Sequence, residues 1–351
     1  MKADFTEIFF EKHKTSYLTK RSTRVSCIFV FMKNSNLNFS EFRNVSRDVW
    51  NEVATRQLKG DAPSDTLKWS SEFGLPLQVY YDADSRGDLG YLGQFFSTVS
   101  EHNWKLYERI EVIDDRSANG RVLEALNEGC GGVFFSINQI GDLDLLTKGI
   151  LFEHCDVSFI VSNGMRNEVE SFRNARGIQA SIIDRETVWC SDRFSQSSGL
   201  ANLSEMVIDF AENPKNNPKI FLRLSQDFFH ELARVRAIKY LFWRVADSIG
   251  IKCDPNDIYI HCEPIGIDEK SENLFTQSTA GMAAIIGGAN SVSFDPMHST
   301  PRISRNVGNM IREESKIDSF QNAGSGSFFI DTLTDQMIRH VWSKLQERLD
   351  S

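Results

Sequence analysis

The chain has 351 residues, of which 41% are hydrophobic and 25% charged, the make-up of an ordinary globular protein. A formal net charge of −9 works against binding to a nucleic-acid backbone, and the body of the chain shows no local basic patch. No apolar run reaches the roughly 18 residues of a membrane span. None of the six cysteines has CxxC or zinc-finger spacing, so free thiols in a reducing, cytoplasmic setting are expected and no metal site is.

Residues 1–31 do not match the rest. They carry six Lys/Arg and three Asp/Glu, a net +3 that leaves −12 on the remainder. The apolar run from Val25 to Met32 lacks a small-residue cleavage site, which disfavours a secretory signal. Asp4, Glu7 and Glu11 disfavour a transit peptide. The preferred reading is a start at Met32, with residues 1–31 an unassigned segment. Residues 32–100 are expected to form a partly helical arm holding Trp50, Trp69, Tyr80 and Tyr81.

From residue 101 to 351, strand-like runs alternate with helical patterns. The runs predict strands over Tyr107–Ile113, Val133–Ile137, Val157–Ser162, Ala180–Cys190, Ile220–Leu224, Ile258–Cys262 and Ser291–Phe294, with Ser327–Ile330 a softer eighth. Several are continuously apolar, as strands covered on both faces are. Helices are predicted over Arg121–Glu128, Leu143–Phe152, Met165–Arg176, Leu203–Glu212, Asp227–Ile249, Asn273–Ile286, Arg302–Glu314 and Thr334–Leu349, with Thr334 as a cap. Seven or eight β-then-α units point to an α/β fold, a TIM (β/α)8 barrel preceded by an arm. An open doubly wound sheet is the alternative. Neither GxGxxG nor GxxxxGK[ST] occurs, which weakens the dinucleotide and P-loop readings.

Four stretches resemble the methylmalonyl-CoA mutase family. Gly287-Gly288-Ala289-Asn290-Ser291-Val292, followed by Arg302-Ile303-Ser304-Arg305-Asn306-Val307 and Arg312-Glu313-Glu314-Ser315, resembles a GG-strand and an RIARN–EES helix. Gly324-Ser325-Gly326-Ser327-Phe328-Phe329-Ile330 with Leu333-Thr334-Asp335 is similar to a GGSYY(I/V)E–LTD turn. Asp227–Ala237 is similar to an FFxEIAKxRAAR helix. Gln57-Leu58-Lys59-Gly60 with Leu67-Lys68-Trp69 resembles the arm of the small (beta) subunits. The resemblance covers roughly residues 39–350. It implies a TIM barrel of the acyl-CoA-binding type. In catalytic members a separate flavodoxin-like domain carries adenosylcobalamin, whose radical chemistry interconverts methylmalonyl-CoA and succinyl-CoA.

Against that pattern the chain departs at its expected site. None of its seven histidines lies in the DxHxxG pattern whose His ligates cobalt, so this chain is expected to bind no cofactor, with adenosylcobalamin on a partner. Where the family reads SGYHxQEAGA, this chain has Ser191-Asp192-Arg193-Phe194-Ser195-Gln196, with Arg193-Phe194 in place of Tyr-His. Phe194 has no donor for a thioester carbonyl. Thr276 stands where the family has Arg. HCQTSG becomes His261-Cys262-Glu263-Pro264-Ile265-Gly266, putting a carboxylate, Glu263, where the family has Gln and where it would repel an anionic acyl group.

The resemblance therefore implies the small, non-catalytic subunit of a heterodimeric mutase. Its expected partners are a large cobalamin-binding subunit and the acyl-CoA of the complex. No catalytic residue is assigned, and Arg193, Gln196, His261 and Glu263 are candidate substrate-binding positions. Two alternatives stand beside it: an acyl-CoA mutase barrel working with a separately encoded cobalamin protein, and a diverged barrel that binds a CoA ester. The bland readings are a satisfied barrel histidine for His261, a pairing with Asp192 or Asp184 for Arg193, a solvated face for Glu313-Glu314, and no zinc site at His230-Glu231.

Overall fold

The computed structural model describes residues 45–350 apart from 68, 71–73, 88, 100–102, 186–187, 191–198, 266–271, 295–300 and 318–321. The chain divides into two compact units, Met1–Gly60 and Asp61–Ser351. Of the first, the described part is helix α1, Arg47–Gln57, opened by the Ser46 hydroxyl accepting from the Val49 amide. Lys59 and Gly60, at φ +60° and +108°, end it in the left-handed region.

In the second unit, residues 61–99 form short turns, an antiparallel ribbon (Trp69–Ser70 with Pro76–Leu77) and helix α2, Gly90–Thr98. Leu75, Leu77, Leu92, Phe95 and Phe96 are buried in the main core, so this stretch is part of the barrel's packing.

Eight parallel strands follow: β1 Lys105–Val112, β2 Gly132–Ile137, β3 Asp156–Val161, β4 Ala180–Asp184, β5 Trp189–Cys190, β6 Lys219–Leu224, β7 Tyr259–Pro264 and β8 Ser291–Ser293. Their order is β4-β3-β2-β1-β8-β7-β6-β5. First and last strands pair, Lys105 with Ser291 and Tyr107 with Ser293. A doubly wound sheet keeps sequence-distant ends apart, whereas pairing β1 with β8 is the barrel's own connection. Among the described residues, no backbone pairing joins β4 to β5.

Helices α3 Asp115–Asn127, α4 Leu143–Leu146, α5 Arg166–Arg176, α6 Gly199–Glu212, α7 Phe228–Ser248, α8 Glu272–Gly287, α9 Pro301–Met310 and α10 Phe328–Leu349 cover the outside. Side chains alternate along each strand. Val133, Phe135 and Ile137 of β2 point out against Ala118, Val122 and Leu146. Trp189 lies edge-on to Phe210 and Phe242, which stack at 4.4 Å.

Three expectations about elements change. Ala180–Cys190 is two strands broken by a turn at Arg185, which makes Ser291–Ser293 the eighth strand. Ser327–Ile330 is the start of α10, because Ser327 caps the Ile330 amide and Thr334 is buried inside the helix, donating to the Ile330 carbonyl. The helix expected over Leu143–Phe152 is one turn, α4, which ends at Thr147.

The family-like motifs prove to be ties between these elements. A Cβ on Gly287 would stand 2.8 Å from the Val235 Cβ and 3.0 Å from the Leu232 carbonyl, so α8 and α7 meet only through glycine there. Gly288 turns at φ +101° into β8. Arg305 of α9, 4% exposed, bonds Glu108 of β1 at 2.6 Å, Glu124 at 2.7 Å and Glu128 at 2.7 Å. Arg236 of α7 bonds Asn322, Ser325 (3.1 Å) and Asp331 (3.2 Å), which locks the Gly-Ser turn onto α7.

Candidate functional site at the C-terminal mouth of the barrel

Barrel chemistry gathers where the strands end, since the βα loops there carry the reacting groups. The inward residues nearest that end are Arg109 (β1), Ser136 (β2), His261 and Glu263 (β7) and Ser293 (β8), with Arg185 just after β4.

His261 is fully buried on the axis. Its Nδ1 is 2.8 Å from the Ser291 hydroxyl, and its Nε2 is 3.0 Å from the Ser293 hydroxyl and 3.5 Å from Glu263. The rings of Phe134, Phe221 and Tyr107 surround it at 4.6, 5.0 and 6.1 Å. An imidazole with both nitrogens engaged and aromatic rings about it is a packed core group, as the bland reading of His261 expects.

Glu263 reaches up from the next inward position. Arg109 Nη1 donates to both its oxygens at 3.3 Å. Burial works to raise the Glu263 pKa, but the hydrogen bond from His261 and the charges of His261 and Arg109 outweigh it and hold the carboxyl at about 2. Arg109 also faces Glu111 at 3.6 Å. The carboxylate that stands in place of a family Gln is thus matched inside the chain by an arginine from β1. The two form an ion pair at the C-terminal end of the strands.

Across the mouth, Arg185 donates to Asn138 Oδ1 at 2.8 Å and to the Ser136 hydroxyl at 2.7 Å. Both acceptors are neutral, and no carboxylate pairs with Arg185 among the described residues. Below this layer the axis is filled: Tyr107, Phe134, Ile160, Ile183 and Phe221 pack together, each 5% exposed or less.

Among the expected site residues, the structure brings His261 and Glu263 together. Arg193, Phe194 and Gln196, with Asp192, lie outside the described residues. Asp184 is buried at the end of β4, and Thr276 is on α8. Glu313 is exposed and pairs with Arg312 at 3.0 Å. The residues not anticipated are Arg109, Arg185, Ser136 and Ser293. The signal for them is strand alternation: 107 and 109, 134 and 136, 291 and 293 share the inward face. Among the described residues, no group of three His, Cys, Asp or Glu side chains is placed to hold a metal ion, and no helix is long and apolar enough to cross a membrane.

Comparison with known proteins bears on the family. The model described as methylmalonyl-CoA mutase matches residues 216–349, from the start of β6 to the end of α10. The methylmalonyl-CoA mutase small subunit of Porphyromonas gingivalis is 22% identical over 87% of this chain and 63% of its own length. The methylmalonyl-CoA mutase of Cereibacter sphaeroides is 23% identical over 86% of this chain and 58% of its own length. That of Escherichia coli is 28% identical over 36% of this chain and 20% of its own. The chain therefore spans about three fifths of the length of the first two relatives. A dihydropteroate synthase from Thermus thermophilus superposes at a TM-score of 0.32, with 11% identity over 61% of this chain and 96% of its own, too loosely to carry any argument. The matched region holds Arg236, Gly287, Arg305 and Asp331, the residues that tie the outer helices to the barrel, and over it the chain is similar to the methylmalonyl-CoA mutase family.

Proposed function

We propose that this chain is the small, non-catalytic subunit of an adenosylcobalamin-dependent methylmalonyl-CoA mutase, assembled in the cytoplasm with a large subunit that carries the cofactor and the acyl-CoA. The observation that supports this most is the filled axis. The family resemblance puts the acyl-CoA of catalytic members inside the barrel, and here Tyr107, Phe134, Phe221 and His261 occupy that space. Substitution of Tyr-His by Arg193-Phe194 points the same way, since phenylalanine offers a thioester oxygen no proton.

Neither His261 nor His230 is placed to ligate cobalt. His261 is enclosed by rings and serines, and His230 is buried with Nδ1 2.6 Å from Asp227. The absence of a DxHxxG pattern supports placing the cofactor on the partner. The chain's own part is to present a rigid barrel for assembly.

The test is co-expression with a cobalamin-binding mutase subunit, followed by light scattering and a mutase assay. A one-to-one complex whose activity needs the large subunit is expected. Separate peaks overturn the reading. Turnover by this chain with an isolated cobalamin domain would favour a catalytic barrel instead.

A further inference from the structure

The opposite, N-terminal mouth of the barrel is built differently from the C-terminal end, where Arg109 and Glu263 pair. The first inward residues of the strands surround a cavity of about 490 Å³, within the size range of small-molecule sites. Tyr107 and Phe134 form its inner end, and their rings pack 4.7 Å apart, so it is a blind cup. Phe152, Val157 and Ile183 add apolar wall.

Its polar groups are unevenly matched. The Asp156 carboxylate accepts from Lys105 at 2.5 Å and from the Tyr107 hydroxyl at 2.8 Å. The Tyr259 hydroxyl is 2.6 Å from Ser291. Lys219, pointing in from β6, has no carboxylate within ion-pair distance among the described residues. Burial, and then the charge of Arg166, push its ammonium pKa down, the direction expected of a cation short of a counter-ion. The hydroxyl of Ser158, a residue 7% exposed on the opposite wall, makes no hydrogen bond among the described residues.

We infer that this cup binds a small organic monocarboxylate, with its carboxylate on Lys219, its hydrocarbon body on Phe134, Phe152 and Val157, and Ser158 as a further donor. One unmatched cation suits one negative charge, and the Asp156 carboxylate in the wall disfavours a second. The ring pair at the inner end limits the ligand to a short body. All of its lining residues belong to this chain, so it can be tested on the chain alone.

Cys155 lines the cup and supplies the readout. Its labelling by a thiol reagent is followed by peptide mass spectrometry in the presence of hexanoate or of neutral hexanamide. Hexanoate at ten times its dissociation constant is expected to slow Cys155 labelling about tenfold, as occupancy of one site requires. Hexanamide is expected to leave the rate unchanged. Lys219→Met should abolish protection while keeping or raising the thermal midpoint, since no ion pair is lost and a partly buried ammonium is removed, and Lys219→Arg should retain protection. No protection by hexanoate, equal protection by hexanamide, or protection that survives Lys219→Met would each overturn the proposal.

Discussion

The Tyr107 ring lies directly over Gly132 of the neighbouring strand, so close that a Cβ there would stand 2.6 Å from Cε1 and 2.7 Å from Cε2. Glycine at 132 is what lets a tyrosine of β1 reach over β2 to Asp156 of β3. Gly132→Ala must displace the ring or the strand. Overpacking of this kind costs about 1–3 kcal/mol. Urea unfolding of Gly132→Ala should show that loss, and Gly132→Ala/Tyr107→Leu should regain most of it. An additive double variant would mean that the two residues do not meet.

The Glu263–Arg109 pair makes stability depend on acid. Glu263 titrates at about 2 in the folded chain against 4.5 for the free side chain. A depressed carboxyl stabilises fully above the unfolded value and loses that contribution as pH falls through the folded one. The window is therefore pH 5 to 2, and the contribution is about 2–3 kcal/mol. Unfolding free energies measured from pH 6 to 3 should fall more steeply for the wild type than for Glu263→Gln. Parallel curves would show that Glu263 does not carry the effect.

The barrel was legible because parallel strands covered on both faces write themselves as short apolar runs between amphipathic helices. The same continuity hid the turn at Arg185, since apolar residues lie on both sides of it and nothing in composition marks the break. Phe328-Phe329-Ile330 read as a strand because a short apolar run looks alike in a buried strand and at a helix start, and the Ser327 cap decides between them. At the site, His261 and Glu263 were visible as polar residues ending a strand. Their partners were not, because Arg109 lies 154 positions from Glu263 and only the order of strands across the sheet brings them together. The family-like motifs could be matched from the sequence, yet their physical role as ties between helices needed the packing of Arg236 and Arg305.

Arg236 and Asp331 form a buried pair, 1% and 2% exposed, between α7 and α10. Arg236→Met leaves the Asp331 carboxylate without its guanidinium and is expected to cost about 3–5 kcal/mol. Arg236→Met/Asp331→Leu removes the stranded charge and should recover at least half. Chemical denaturation of the three variants checks this. If the double variant is no better than the single one, the bonds from Arg236 to Asn322 and Ser325 hold the turn, and the ion pair is secondary.

Lys239, 2% exposed on α7, has its pKa pushed down by burial to about 8. The unfolded side chain titrates near 10.5, so between pH 8 and 10.5 the unfolded chain holds more protons and folding stability rises with pH. At pH 7 both states are protonated and the full penalty of burying the ammonium is present. Lys239→Met removes it and should stabilise the chain at pH 7 by about 2–3 kcal/mol. The advantage should shrink as pH rises from 8 to 10. Buried thiols such as Cys262 and phenols such as Tyr107, whose pKa values burial raises, titrate alike in both proteins, so the difference isolates Lys239. A gap that stays constant from pH 7 to 10 would mean that the ammonium gains a compensating interaction on folding.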